Sequence, residues 1–174
     1  MPRRHSDSQE FSRFIEADSI GAKPIERQIS ANAGERAALA ARFGLQAIDR
    51  LEADLTLHRA GNGVIHVEGT VRGEVVQSCV VTLEPVPARI EEAFAADFAA
   101  ESDRPSEEEE IDFEAADPPE PIRNGHIDLG ELAAEHLSLA LDPYPRAPGA
   151  RLPQASEPDE PEARPVNPFS ILKK

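Results

Sequence analysis

The sequence predicts an α+β fold: an antiparallel sheet of about five or six strands, curled towards a barrel, with two helices and a disordered Pro-rich C-terminal tail. Apolar and polar residues alternate from Leu51 to Val71, as in strands with one buried face. Asn32 with Glu35, and Asp128 with Glu131, have the spacing of a helix N-cap and its third residue. Eight of the chain's 16 prolines lie between Pro143 and Pro168, which no packed element tolerates.

In chain order, Phe14, Ile15 and Ile20, a Gly21-Lys23-Pro24 turn, then Ile25 and Ile29 read as one or two short strands. The first helix follows Asn32, runs through the Ala-rich residues 37–43 and stops at Gly44, with Leu39 and Phe43 as its anchors. Leu51, Ala53, Leu55 and Leu57 form the apolar side of a strand, and Ile65, Val67, Gly69 and Val71 that of the next. Between them Gly61-Asn62-Gly63 predicts a three-residue loop, which sets Leu57 opposite Val67 and Leu55 opposite Gly69. A two-residue loop pairs Leu57 with His66 and mixes the faces. Residues 75–83 read as a separate strand closed by Pro85 and Pro87, and 90–98 as a strand or a helix, since Phe94 and Phe98 suit either period.

Residues 101–121 hold ten Asp or Glu against one Arg, including four consecutive glutamates at 107–110, and predict a mobile acidic loop. The second helix opens at Asp128; Glu131, Glu135, Ser138 and Asp142 form its polar stripe, while Leu129, Leu132, Ala133, Leu137, Ala140 and Leu141 cover the rest until Pro143 ends it. The domain therefore spans 1–146, and the tail, 147–174, ends in the apolar and basic peptide NPFSILKK. That peptide reads either as a docking segment, with Asn167, Pro168, Phe169 and Leu172 as its contacts, or as a plug folded back on its own sheet.

Charge narrows the function classes. A formal net charge of −15 repels bare RNA and anionic membrane surfaces unless a basic patch forms locally, and favours a basic protein partner. Arg36, Arg42, Arg50, Arg59, Arg72 and Arg89 are the residues from which an RNA-binding patch would have to be built. No stretch reaches the roughly 18 apolar residues of a membrane span, and the opening segment has no apolar run after Arg3-Arg4, so a cytoplasmic location is expected.

Chemistry-bearing residues are sparse. A single cysteine, Cys79, allows no internal disulfide and no all-cysteine metal site. Its neighbours Ser78, Val80 and Val81 supply neither a base nor positive charge, so it reads as a core residue. His58 and His66 fall opposite each other in the predicted register with Glu68 on the same face, but no third ligand is evident, and a solvated face is the simpler reading. The run 107–110 lacks the fixed pocket that paired catalytic carboxylates require. No phosphate-cradling glycine motif and no nucleophile–base pattern occurs, so neither enzyme activity nor a cofactor is expected. Asp142-Pro143-Tyr144-Pro145-Arg146 is either a stiff recognition corner, with Asp142, Tyr144 and Arg146 facing a partner, or a helix stop and a packed loop.

Four segments in order, ERAALAARFGL at 35–45, VQSCVVTLEPV at 76–86, IDLGELAAEHLSLALDPYP at 127–145 and NPFSILKK at 167–174, resemble the YceD family of large-subunit ribosomal RNA accumulation proteins. The resemblance implies an α+β fold and a role in ribosome biogenesis. The expectation is a non-enzymatic accessory factor that binds a basic ribosomal protein or an assembly intermediate, with direct RNA contact as the alternative and an RNA-processing hydrolase as the more distant one. Many relatives carry Cys-x-x-Cys where this chain has Cys79 and Thr82, so metal binding is not carried over.

Overall fold

Long alternating strands dominate the computed structural model, which describes residues 10–100 and 118–151. The elements are β1 (Phe14–Glu16), β2 (Ile25–Ser30), α1 (Ala33–Phe43), β3 (Ala47–Arg59), β4 (Ile65–Ser78), β5 (Pro85–Ala99), β6 (Glu120–Pro121), β7 (His126–Asp128) and α2 (Leu129–Leu139). One sheet has the order β2-β3-β4-β5-β6, and β1 pairs with β7 in a second, two-stranded sheet.

The β3–β4 hairpin has the expected register: Leu57 lies opposite Val67, Leu55 opposite Gly69 and His58 opposite His66. From Leu51 in β3 and throughout β4 the odd-numbered residues face the core, where Leu51, Leu57, Ile65, Val67 and Val71 are buried, and an irregularity between Ile48 and Arg50 shifts the register so that Ile48 is buried instead of Asp49. Helix α1 begins with a complete capping box: Asn32 Oδ1 accepts from the Glu35 N–H (3.0 Å) and the Asn32 N–H donates to Glu35 Oε2 (2.7 Å). It ends at Gly44, whose φ of 67° is the left-handed conformation that glycine adopts without steric cost.

Several expectations are corrected. The main sheet is mixed, because β6 runs parallel to β5 at Phe98 and Ala99, and it is not a closed barrel. Residues 75–78 continue β4 instead of starting a new strand, and Pro85 and Pro87 open β5 instead of closing a strand before it. A proline lacks the N–H of a central strand, but most of β5 has a neighbour on one side only, where proline costs little. Residues 90–98 are strand. Glu120 and Pro121, expected in the acidic loop, form β6; the loop's residues 101–117 lie outside the described residues, as does the tail beyond 151.

Helix α2 positions everything at its two ends. Asp128 Oδ1 accepts from the backbone N–H groups of Gly130 (3.0 Å), Glu131 (3.3 Å) and Arg13 (2.7 Å), capping the helix and pinning the N-terminal segment to it. Leu129, Leu132 and Leu137 are buried against the sheet, each contributing about 1.5–3 kcal/mol. The helix stops at Leu139, short of Pro143, so Leu141 and Asp142 lie past its end.

Candidate functional site

At the C-terminal end of α2 the chain gathers apolar side chains that it leaves in water. Cys79 N–H donates to Glu84 O (2.9 Å) and Leu83 N–H to Cys79 O (2.9 Å), which closes the β4–β5 turn. Leu83 sits at φ 62°, a conformation unfavourable for a side chain with a β-carbon, and is 74% exposed. Val80 N–H donates to Pro145 O (2.9 Å), which ties this turn to the segment after α2. Buried Gln77 donates from Nε2 to Asp142 O (2.8 Å), and the Tyr144 N–H donates to Asp142 Oδ1 (2.8 Å). These bonds hold Tyr144 outward at 71% exposure between two prolines.

Val80 and Leu139 are exposed on one groove, Tyr144 stands between two residues of that groove, Pro143 and Pro145, and Leu83 lies in the turn that carries Val80; together they make up an exposed apolar patch. They are four of the five large hydrophobic residues exposed among the described residues, so the clustering is not the ordinary scatter of single apolar side chains. The groove, of about 480 Å³, has Phe43, Leu45, Leu141 and Pro143 in its walls beside Val80 and Leu139.

Of the predicted partner residues, Asp142 lines this groove, although its carboxylate is engaged in the turn, and Tyr144 is exposed between the groove residues Pro143 and Pro145. Arg146 is exposed next to buried Pro145 and Ala147. Asn167, Pro168, Phe169 and Leu172 lie outside the described residues. Val80, Leu83 and Leu139 carried no sequence signal as a surface: Val80 and Leu83 fall in a run that reads as a strand, and Leu139 stands outside both the polar stripe and the apolar set of its helix.

The six arginines do not form one surface. Arg36 donates to Ala31 O and Ile48 O, and Arg59 to Ala17 O, Ile20 O and Gly63 O, so both bind backbone carbonyls. Arg42 chelates Glu131 (2.6 and 3.0 Å). Arg50 pairs with Glu52, Arg72 with Asp54 and Glu91, and Arg89 with Glu74. Arg50, Arg72 and Arg89 thus lie among acidic partners on the helix-free face of the sheet.

His58 and His66 stand with ring centroids 5.2 Å apart, and His66 Nδ1 contacts Asp97 Oδ1. No group of three or more potential ligands that could hold a metal occurs among the described residues. Cys79 is fully buried, as expected, but its surroundings differ from the sequence reading. The Ala147 N–H donates to its sulfur, as do the N–H groups of Thr82 and Val81 (both 3.4 Å), and together with the adjacent Thr82 side chain, whose hydroxyl also reaches Glu84 Oε2 (3.0 Å), they lower the thiol to about 7. Backbone donors from a turn and from a residue 68 positions away carry no side-chain signature, so sequence alone does not reveal them.

These features define a small α+β domain with helices packed on one face of a mixed sheet and an apolar patch where the β4–β5 turn meets the end of α2. The chain belongs to the YceD family: residues 67–174 match its family model, described as large ribosomal RNA subunit accumulation protein YceD. The match covers the patch and α2 and begins within β4, leaving the helix motif at 35–45 outside it. No curated protein and no solved structure gives a significant match. No helix among the described residues is long and apolar enough to cross a membrane.

Proposed function

We propose that the chain is a non-enzymatic accessory factor in cytoplasmic ribosome biogenesis. It supports accumulation of large-subunit ribosomal RNA by binding a basic ribosomal protein or an assembly intermediate that presents one. The observation that carries this reading is the patch of Val80, Leu83, Leu139 and Tyr144, held outward by backbone hydrogen bonds at real conformational cost in Leu83. The net charge of −15 supplies attraction for a basic partner, and the patch supplies the contact itself.

Direct RNA binding through arginine is the weaker reading. Arg42, Arg50, Arg72 and Arg89 are each already paired with a carboxylate, so a phosphate would have to approach each of them against a fixed negative charge beside it.

Sedimentation of tagged protein with ribosomal particles at low salt tests the proposal. Wild-type chain is expected to travel with large-subunit precursors, and Leu83→Asp with Tyr144→Asp to remain at the top of the gradient while still folded. A chain truncated before Asn167 shows whether the terminal peptide adds to the contact. Association that survives the double substitution would move the contact elsewhere, and no association of the wild type with any particle would sink the role itself.

A further inference from the structure

At the opposite end of α2 lies a second groove, of about 640 Å³, between the helix, β7 and the β5–β6 edge. Its floor is apolar, made by Phe14, Phe98, Ile127 and Leu132. Phe14 is 65% exposed and meets His126 edge-on, with ring centroids 6.1 Å apart. Four carboxylates line the same groove, those of Glu120, Asp128, Glu131 and Glu135, against one guanidinium, that of Arg123, and the imidazole of His126.

The carboxylates are not equally free. Arg42 from α1 chelates Glu131. Asp128 Oδ1 caps α2, whereas its Oδ2 is buried with no partner. Glu120 and Glu135 are left as the acids of the rim. Partial burial first, and the charge of Glu135 second, hold the Glu120 carboxyl above the ordinary carboxylate range, with Arg123 offsetting only part of the effect. Two like charges beside an exposed aromatic ring form a place where a cation on an apolar stem lowers the energy: the stem covers Phe14 and Phe98 while the head neutralises the acids.

We propose that this groove binds a lysine or arginine side chain of an extended basic segment in a partner protein, the aliphatic stem against Phe14 and Phe98 and the charged head between Glu120 and Glu135. The inference deepens the functional reading above and rests on its basic partner, but it concerns a different surface from the apolar patch.

The test uses the full chain titrated with two short synthetic peptides of equal length, one alternating lysine with leucine and the other with each lysine acetylated. Binding is followed by the NMR signals of Phe14, Phe98 and His126. The lysine peptide is expected to shift those signals and to bind at least tenfold more tightly than the acetylated one. Glu120→Gln with Glu135→Gln should remove that difference while leaving the thermal midpoint near that of the wild type. Equal binding of the two peptides, or lysine-peptide binding unchanged in the double variant, would overturn the proposal. A several-fold rise in affinity on truncation before Asn167 would assign the groove to the chain's own terminal lysines and overturn it as well. Particle association that persists in the Glu120→Gln, Glu135→Gln chain removes the groove and keeps the assembly role. Specific lysine-peptide binding without any particle association does the reverse.

Discussion

Leu137 packs onto the bare backbone of Gly73: a β-carbon on that glycine would lie 2.6 Å from Leu137 Cδ1. The contact sets how closely α2 lies on β4, and hence where both ends of the helix are held. Gly130, in the first turn of α2, is tighter still, since its β-carbon would meet the Phe11 carbonyl oxygen at 2.4 Å. A side-chain tip can rotate away, but a backbone carbonyl pinned by neighbouring hydrogen bonds cannot. Gly73→Ala is therefore expected to cost about 1–2 kcal/mol and Gly130→Ala about 3 kcal/mol, despite the better helix propensity of alanine. Urea unfolding checks the order, and equal costs for the two variants would refute this account of the packing.

Leu83 separates stability from function. Asparagine and glycine accept its φ of 62° more readily than leucine does. Leu83→Asn should raise stability by about 0.5–1 kcal/mol while weakening association with ribosomal particles. A variant that loses both stability and binding would mean that the leucine packs within the fold.

Asn32 caps α1 by a side-chain bond to the Glu35 N–H, and Glu35 returns the bond to the Asn32 N–H. Asn32→Ala should cost about 1 kcal/mol. Glu35 also holds Arg13 through both carboxylate oxygens (2.8 and 3.0 Å), so Glu35→Ala should also loosen the segment around Arg13. Hydrogen exchange of the Arg13 and Phe14 amides, faster in the second variant than in the first, would confirm the division of roles.

Cys79 predicts a pH dependence. The Ala147 N–H, followed by the Thr82 side chain, lowers the native thiol to about 7 from an ordinary 9.0. An acid whose native value is depressed stabilises the fold fully above its unfolded value and loses that contribution as the pH falls through the native one. Stability should therefore rise between about pH 7 and pH 9, and the rise should be absent in Cys79→Ser. Thiolate absorbance of the folded chain should titrate near 7 and move upward in Thr82→Val. A native midpoint at the ordinary thiol value would show that burial outweighs the donors.

The sequence by itself determined the elements whose causes lie within a few residues. Alternation through Leu51, Ala53, Leu55 and Leu57, with a three-residue loop, was enough to place Leu57 opposite Val67, because a one-residue slip would turn every apolar side chain to water. Both helix starts were legible because a capping side chain bonds to backbone only two or three residues on. Only the tertiary structure decided the rest. A two-residue strand such as β6 has no period to detect, and two prolines in β5 are harmless only because of which edge they face. The arginines look like a potential basic patch until the fold sets each beside a carboxylate or a carbonyl. Val80 and Leu139 share a groove, with Leu83 and Tyr144 carried on the segments beside it, only when the β4–β5 turn meets the end of α2. Local pattern reports what a residue's near neighbours require; which distant segments share a surface depends on how the whole chain packs.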